Sequence, residues 1–191
     1  RGCCRFAWTV AAMSYQDALE QLGSTAERSI LNELRRYTSG QISLDTFVDL
    51  AATIVALGQQ QGRMAAELAV LAWLQSIGAA PVPVAAPPIE HYMNSDRVRD
   101  AIWTVVGTGV EDQLEMRLGR LAHAETVESS QRAFNEALER SGLAEGWIRG
   151  LEAGACQLCR WWWREGQAWP VDHVMPTHKG CTCTPIPVEK K

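Results

Sequence analysis

Between Ser14 and Gly78, apolar residues recur at three- and four-residue intervals, the spacing that places them along one side of an α-helix. Ser24-Thr-Ala-Glu27 has the capping-box pattern, and Ile30, Leu31 and Leu34 follow it, so a helix is expected to begin there and end at Gly40. Ser43 is placed to cap a second helix whose apolar positions, Leu44, Phe47, Val48, Ala51, Ile54 and Val55, trace one face. Gly58 and Gly62 are expected to break or bend it before a third apolar run, Met64 to Ile77, which Gly78 closes.

Four prolines among the small residues of Ala79 to Ile89 cannot continue a helix, so an extended linker or surface strap is expected there. Helical spacing resumes after Asn94-Ser95 with Val98, Ala101, Ile102 and Val105, and breaks at Gly107-Thr-Gly109. A charge-rich helical stretch from about Val110 to Arg140, in one or two pieces, reads as a solvated face. From Trp147 the helical period is lost: Gly146-Trp-Ile-Arg-Gly-Leu reads as a short strand, and a turn-rich segment follows. The pattern predicts a mainly α protein, a helical body with a small C-terminal zinc-knuckle module of short strands and turns. Its expected divisions are an upstream extension over 1–12, helical regions over 13–78 and 93–145, a Pro-rich linker over 79–92, and the module over 146–191. The extension is so read because the chain opens on Arg1 and patterning becomes clear only around Met13; Cys3 and Cys4 go with it.

Composition narrows the function classes. The chain is 47% hydrophobic and 21% charged, with a net charge of −4, so it lacks the strongly basic face of a dedicated nucleic-acid binder. No apolar run is long enough to span a bilayer, and no membrane partner is expected. His91 and His123 stand outside any recognisable nucleophile–base motif, and Gly107-Thr-Gly109 lacks the lysine of a phosphate loop. No enzyme activity is expected.

The remaining cysteines, Cys156, Cys159, Cys181 and Cys183, lie within a short C-terminal stretch, and none occurs between Met13 and Ala155. Pairs of the form C-x-x-C and C-x-C beside a histidine read as a metal site rather than a disulfide framework. With His178 the spacing is C-x2-C…H-x2-C-x-C, five donors for the four tetrahedral positions of Zn²⁺. If Cys181 and Cys183 lie on an extended segment, both face the same way and both can ligate, which would displace His178. Zinc is expected as a structural ion, because a segment this short cannot bury enough core to fold unaided. Five of the eight tryptophans lie here, at Trp147, Trp161, Trp162, Trp163 and Trp169, as an apolar shell. Removal of zinc is then expected to unfold Trp147 to Pro187 while the body stays helical.

Two resemblances bear on function. Val-Asp172-His173-Val-Met-Pro after a C-x-x-C resembles the start of an HNH endonuclease, which would make Asp172 and His173 a metal-dependent cleavage pair. That module needs a helix and a further Asn or His ligand downstream, where this chain has Pro, Gly and two Cys. A longer stretch, about 127–186, resembles the Mu F-like minor head proteins of tailed phages, particularly those of actinobacteria. The resemblance rests on Gly154-Ala-Cys-x-x-Cys159, Gly166, the closing His178-x-Gly-Cys-x-Cys-Thr184, and the run Ser129-Ser-Gln-Arg-Ala-Phe134 ahead of the strand. It implies a minor capsid protein of the virion, assembled in the host cytoplasm. Its expected partners are the portal or major capsid protein, close to packaged DNA and without catalytic activity.

Overall fold

A computed structural model describes the backbone of residues 2–83, 87–93, 96–108 and 111–190, and within these the side chains from Tyr15 onward except those of Met93 and Glu111. Three long helices, α1 (Gly2–Thr38), α2 (Leu44–Ser76) and α5 (Leu114–Ser141), pack against one another. The short α3 (Ile89–Met93) and amphipathic α4 (Asp96–Gly107) lie against them. The C-terminal part is a three-stranded antiparallel sheet in the order β2 (Trp169–Pro170), β1 (Ala144–Gly150), β3 (Thr184–Glu189), with helix α6 (Gln157–Trp163) inserted after β1. The expected class, mainly helical with a small C-terminal part of short strands and a Cys/His cluster, is what the chain adopts. Pro185 and Pro187 sit on β3, an edge strand, where a missing N–H is tolerated.

Two expected boundaries are absent. The capping box at Ser24 starts nothing, because α1 runs through it and also continues back through 2–12 without a break. Thr25 donates its hydroxyl to the Gln21 carbonyl and Ser24 donates to the Glu20 carboxylate, so both side chains bond to the preceding helical turn and leave the ladder intact. Leu19, Ala26 and Ile30 form one buried face across the expected break. The side chains of Cys3 and Cys4, and the expected break at Asn94-Ser95, lie outside the described residues.

Gly58 and Gly62 do not bend α2 either. They are where α5 crosses it: a Cβ on Gly62 would stand 2.6 Å from the Thr126 carbonyl oxygen, and one on Gly58 2.2 Å from the Thr126 hydroxyl. The glycines serve close approach between two unbroken helices, and Met64 to Ser76 belongs to the same helix as Leu44, with Ile77 as its C-cap. Ser43 caps α2 as expected, accepting from the Thr46 N–H.

The charge-rich stretch departs most from its pattern. Preceded by a single turn over Glu111–Gln113, it is one helix, α5, antiparallel to α1 and parallel to α2. It buries Leu118, Ala122, Val127, Phe134 and Leu138. Several of its charges reach across to α2: Arg140 donates to both Glu67 oxygens at 2.7 Å, and Arg63 pairs with Glu136. A helix with partners on two sides has too little free surface to show one apolar stripe.

Apolar burial divides into two clusters along the bundle. One joins Ile30, Leu34, Phe47, Val55 and Leu118 with Val98 and Ile102 of α4. The other joins Tyr15, Leu19, Trp73, Phe134 and Leu138 to Trp147, Met175 and three cysteines of the C-terminal part. Ala79 and Val82, from the proline-rich segment, pack on this second cluster.

Candidate metal centre

Two turns and one short helix assemble the donors. Ala155 N–H closes a turn onto the Glu152 carbonyl, after which Cys156 stands at the N-cap of α6 and Cys159 one turn inside it. This presents both sulfurs on one side of the helix start. The second half comes from the loop between β2 and β3. There the Cys181 N–H closes onto the His178 carbonyl at 3.2 Å, and Gly180 takes the left-handed conformation (φ +80°) that this tight return requires.

His178 stands against the first pair of sulfurs. Its Nε2 lies 3.0 Å from the Cys159 sulfur and 3.3 Å from that of Cys156, while Cys159 and Cys181 stand 3.4 Å apart, sulfur to sulfur. Cys156, Cys159 and His178 form one group of donors, and Cys159, Cys181 and Cys183 with Glu152 form a second that shares Cys159. All four cysteines are thiols. A tetrahedral ion with metal–sulfur bonds of about 2.3 Å would hold its sulfurs about 3.8 Å apart. These three spacings are shorter than that and would have to widen, while the two groups share only Cys159 and would have to draw together for one ion to meet donors of both; the cluster could hold a metal ion.

Burial and hydrogen bonding sort the sulfurs. Cys156 is exposed, and the backbone N–H of Cys159 faces it across the first turn of α6. It makes no cap bond to the Cys156 side chain, but the N–H still lowers the thiol's pKa. Cys183 is lowered to about 6, first because the Cys181 thiol donates to it, and further by the Glu152 N–H at 3.5 Å. Cys181, as that donor, is raised. Burial pushes Cys159 up to about 12. A metal would therefore have to displace protons from Cys159 and Cys181, so uptake releases protons and weakens in acid.

Glu152 and Arg149 were not singled out by spacing. Glu152 accepts from both the N–H and the hydroxyl of Thr182, fixing the segment between the last two cysteines. Arg149 lies two residues beyond Trp147 on the same face of β1, and the period of two along the strand was its only signal. The tryptophans divide rather than forming one shell. Trp147 is fully enclosed, donates to the His173 carbonyl at 2.9 Å and stacks on Trp169, whereas Trp161 is 66% exposed.

Asp172 and His173 lie on the surface in a turn after β2, and the His173 ring stacks on Trp169 at 4.2 Å. Among the described residues neither belongs to a cluster of metal-ligand type, and β3 is the next element. No helix there is long and apolar enough to cross a membrane. No family model, curated protein or solved structure matches the chain.

Proposed function

We propose that this chain is a structural minor capsid protein of a tailed phage, acting in head morphogenesis by binding the portal or the capsid interior. Its C-terminal knuckle is held by a structural zinc ion. Thiolates with one imidazole suit zinc among the available divalent metals, and a set made wholly of protein ligands leaves no open position for substrate. The ion's work is to fold the knuckle, and no catalytic step is assigned to it.

The observation that carries the reading is a contact between the two segments on which the resemblance to the minor head proteins rests. Gln131, within Ser129–Phe134, donates to the Cys183 carbonyl at 2.7 Å and to that of Cys181 at 3.4 Å. The helical run and the Cys/His signature thus behave as one mounted unit, which is what a docking part of an assembled particle needs. The virion is the proposed location, after assembly in the host cytoplasm and close to packaged DNA.

The test is co-expression with the portal and major capsid proteins of a phage that encodes this chain. The chain should co-purify with assembled heads, with about one zinc per copy, and Cys159→Ser should lose both. Heads that form normally and exclude the chain would refute the assignment. Metal-dependent cleavage of plasmid DNA, abolished by His173→Ala, would put the HNH-like nuclease in its place.

A further inference from the structure

Two charged side chains are fully enclosed among the described residues, Glu67 and Arg149. Glu67 is answered by Arg140. Arg149 has no carboxylate at ion-pair distance among those residues, and its Nε has no hydrogen-bond partner. A guanidinium stays protonated in a protein, and an enclosed charge without a counter-charge is too costly for a fold to keep. What surrounds Arg149 is sulfur. Its Nη1 lies 3.7 Å from the Cys159 sulfur and 3.8 Å from that of Cys181. Its Nη2 donates to the Pro176 carbonyl, and the Trp162 ring covers the guanidinium at 5.0 Å.

We infer that Arg149 is the counter-charge of the metal centre: a positioning residue that makes the thiolate cluster neutral enough to be buried and makes the fold depend on the ion. The inference rests on the zinc reading above. Three thiolates and the His178 imidazole around a divalent ion would leave a net charge of minus one, and four thiolates minus two; one guanidinium cancels the first and halves the second. Without an ion, the same guanidinium has only the Pro176 carbonyl, the Trp162 ring and the sulfurs of Cys159 and Cys181 against it, and its Nε has no partner. The residue therefore favours the metal-loaded form and penalises the metal-free one. Its other contacts also fit: the bond to Pro176 ties β1 to the loop that carries His178 and Cys181.

The experiment compares the unaltered chain with Arg149→Met, which keeps much of the length without the charge, and Arg149→Lys, which keeps the charge. Zinc affinity is read by chelator competition, and denaturant midpoints are read with and without zinc. Arg149→Met should bind zinc at least tenfold more weakly, the scale typical of outer-shell partners of metal ligands. It should also lose midpoint in the loaded form more than in the free form, and Arg149→Lys should recover most of the affinity. Affinity unchanged in the Met variant, or equal loss of midpoint in both forms, would overturn the inference and leave Arg149 a packing residue. If the Met variant does not fold, the Lys variant decides: affinity within tenfold of the unaltered chain supports the role, and a larger loss overturns it. Failure of the unaltered chain to take up zinc would instead remove the metal centre itself.

Discussion

At one end of the bundle Ile30, Leu34, Phe47, Val55 and Leu118 meet as a wholly apolar cluster, and α4 covers them with Val98 and Ile102. At the other end Leu19, Trp73, Phe134 and Leu138 are covered by a sheet and a knuckle whose innermost atoms include the sulfurs of Cys159, Cys181 and Cys183. The same three helices thus need lids at both ends, and the two lids draw on different physics. A helix with an apolar stripe covers its end by area alone. The knuckle carries enclosed polar groups, an enclosed guanidinium and a cluster of sulfurs that could hold a metal, so area alone does not account for its cover. The cysteines belong to the same buried cluster as the helices they cap, so the second lid is part of the core.

The largest expected effect comes from removing the ion. Structural zinc supplies roughly 10 kcal/mol or more to small domains, about as much as the whole stability of a typical fold. Chelation should therefore bring down helical signal and tryptophan emission together, against the expectation drawn from the sequence that the module unfolds alone. Circular dichroism and fluorescence followed in one titration would show it; a tryptophan shift with helix intact would restore the two-part picture.

Next in size is a cut at the opposite end. Phe47 is fully enclosed and stacks on Tyr37 at 5.6 Å between ring centres. Phe47→Ala should cost about 3–5 kcal/mol in chemical denaturation of the zinc-loaded chain while leaving zinc affinity where it was. A parallel fall in affinity would mean that the two ends are coupled through the bundle.

The smallest effect concerns alkali. Tyr15, in the metal-end core, donates to or accepts from Ser130 at 2.8 Å, and burial raises its pKa well above the usual phenol range. The folded chain holds this proton where the unfolded chain releases it. Its contribution is therefore whole below pH of about 10 and falls by about 1.4 kcal/mol per unit above it. Tyr15→Phe should flatten that part of the stability–pH curve, and an unchanged slope would mean that Tyr15 does not cause it.

The two ends also differ in how far they could be read from the residues. The faces of α2 around Phe47 and Val55, the cap at Ser43 and the strand at Gly146 to Gly150 follow from local spacing, and each is where it was expected; the five candidate ligands were legible as a Cys/His cluster that could hold a metal. Ser24 and Gly62 misled because their roles are set by neighbours: one bonds back along its own helix, and the other lies under α5. The burial of α5 was illegible because its polar residues pair across helices, as Arg140 does with Glu67. Arg149 and Glu152 escaped notice because what defines them is the chain brought against them from Pro176 and Thr182.

The loop carrying the last three candidate ligands is gripped in large part through its main-chain carbonyls. Asn135 and Trp147 donate to the His173 carbonyl, Arg149 to that of Pro176, Gln16 to that of Thr182 and Gln131 to that of Cys183. A carbonyl is the same whatever residue bears it. Outward-facing positions such as Val174 and Lys179 can therefore drift without loosening the mount. The knuckle can be rewritten to suit a new neighbour while its fastening stays constant, in the way a socket accepts interchangeable heads.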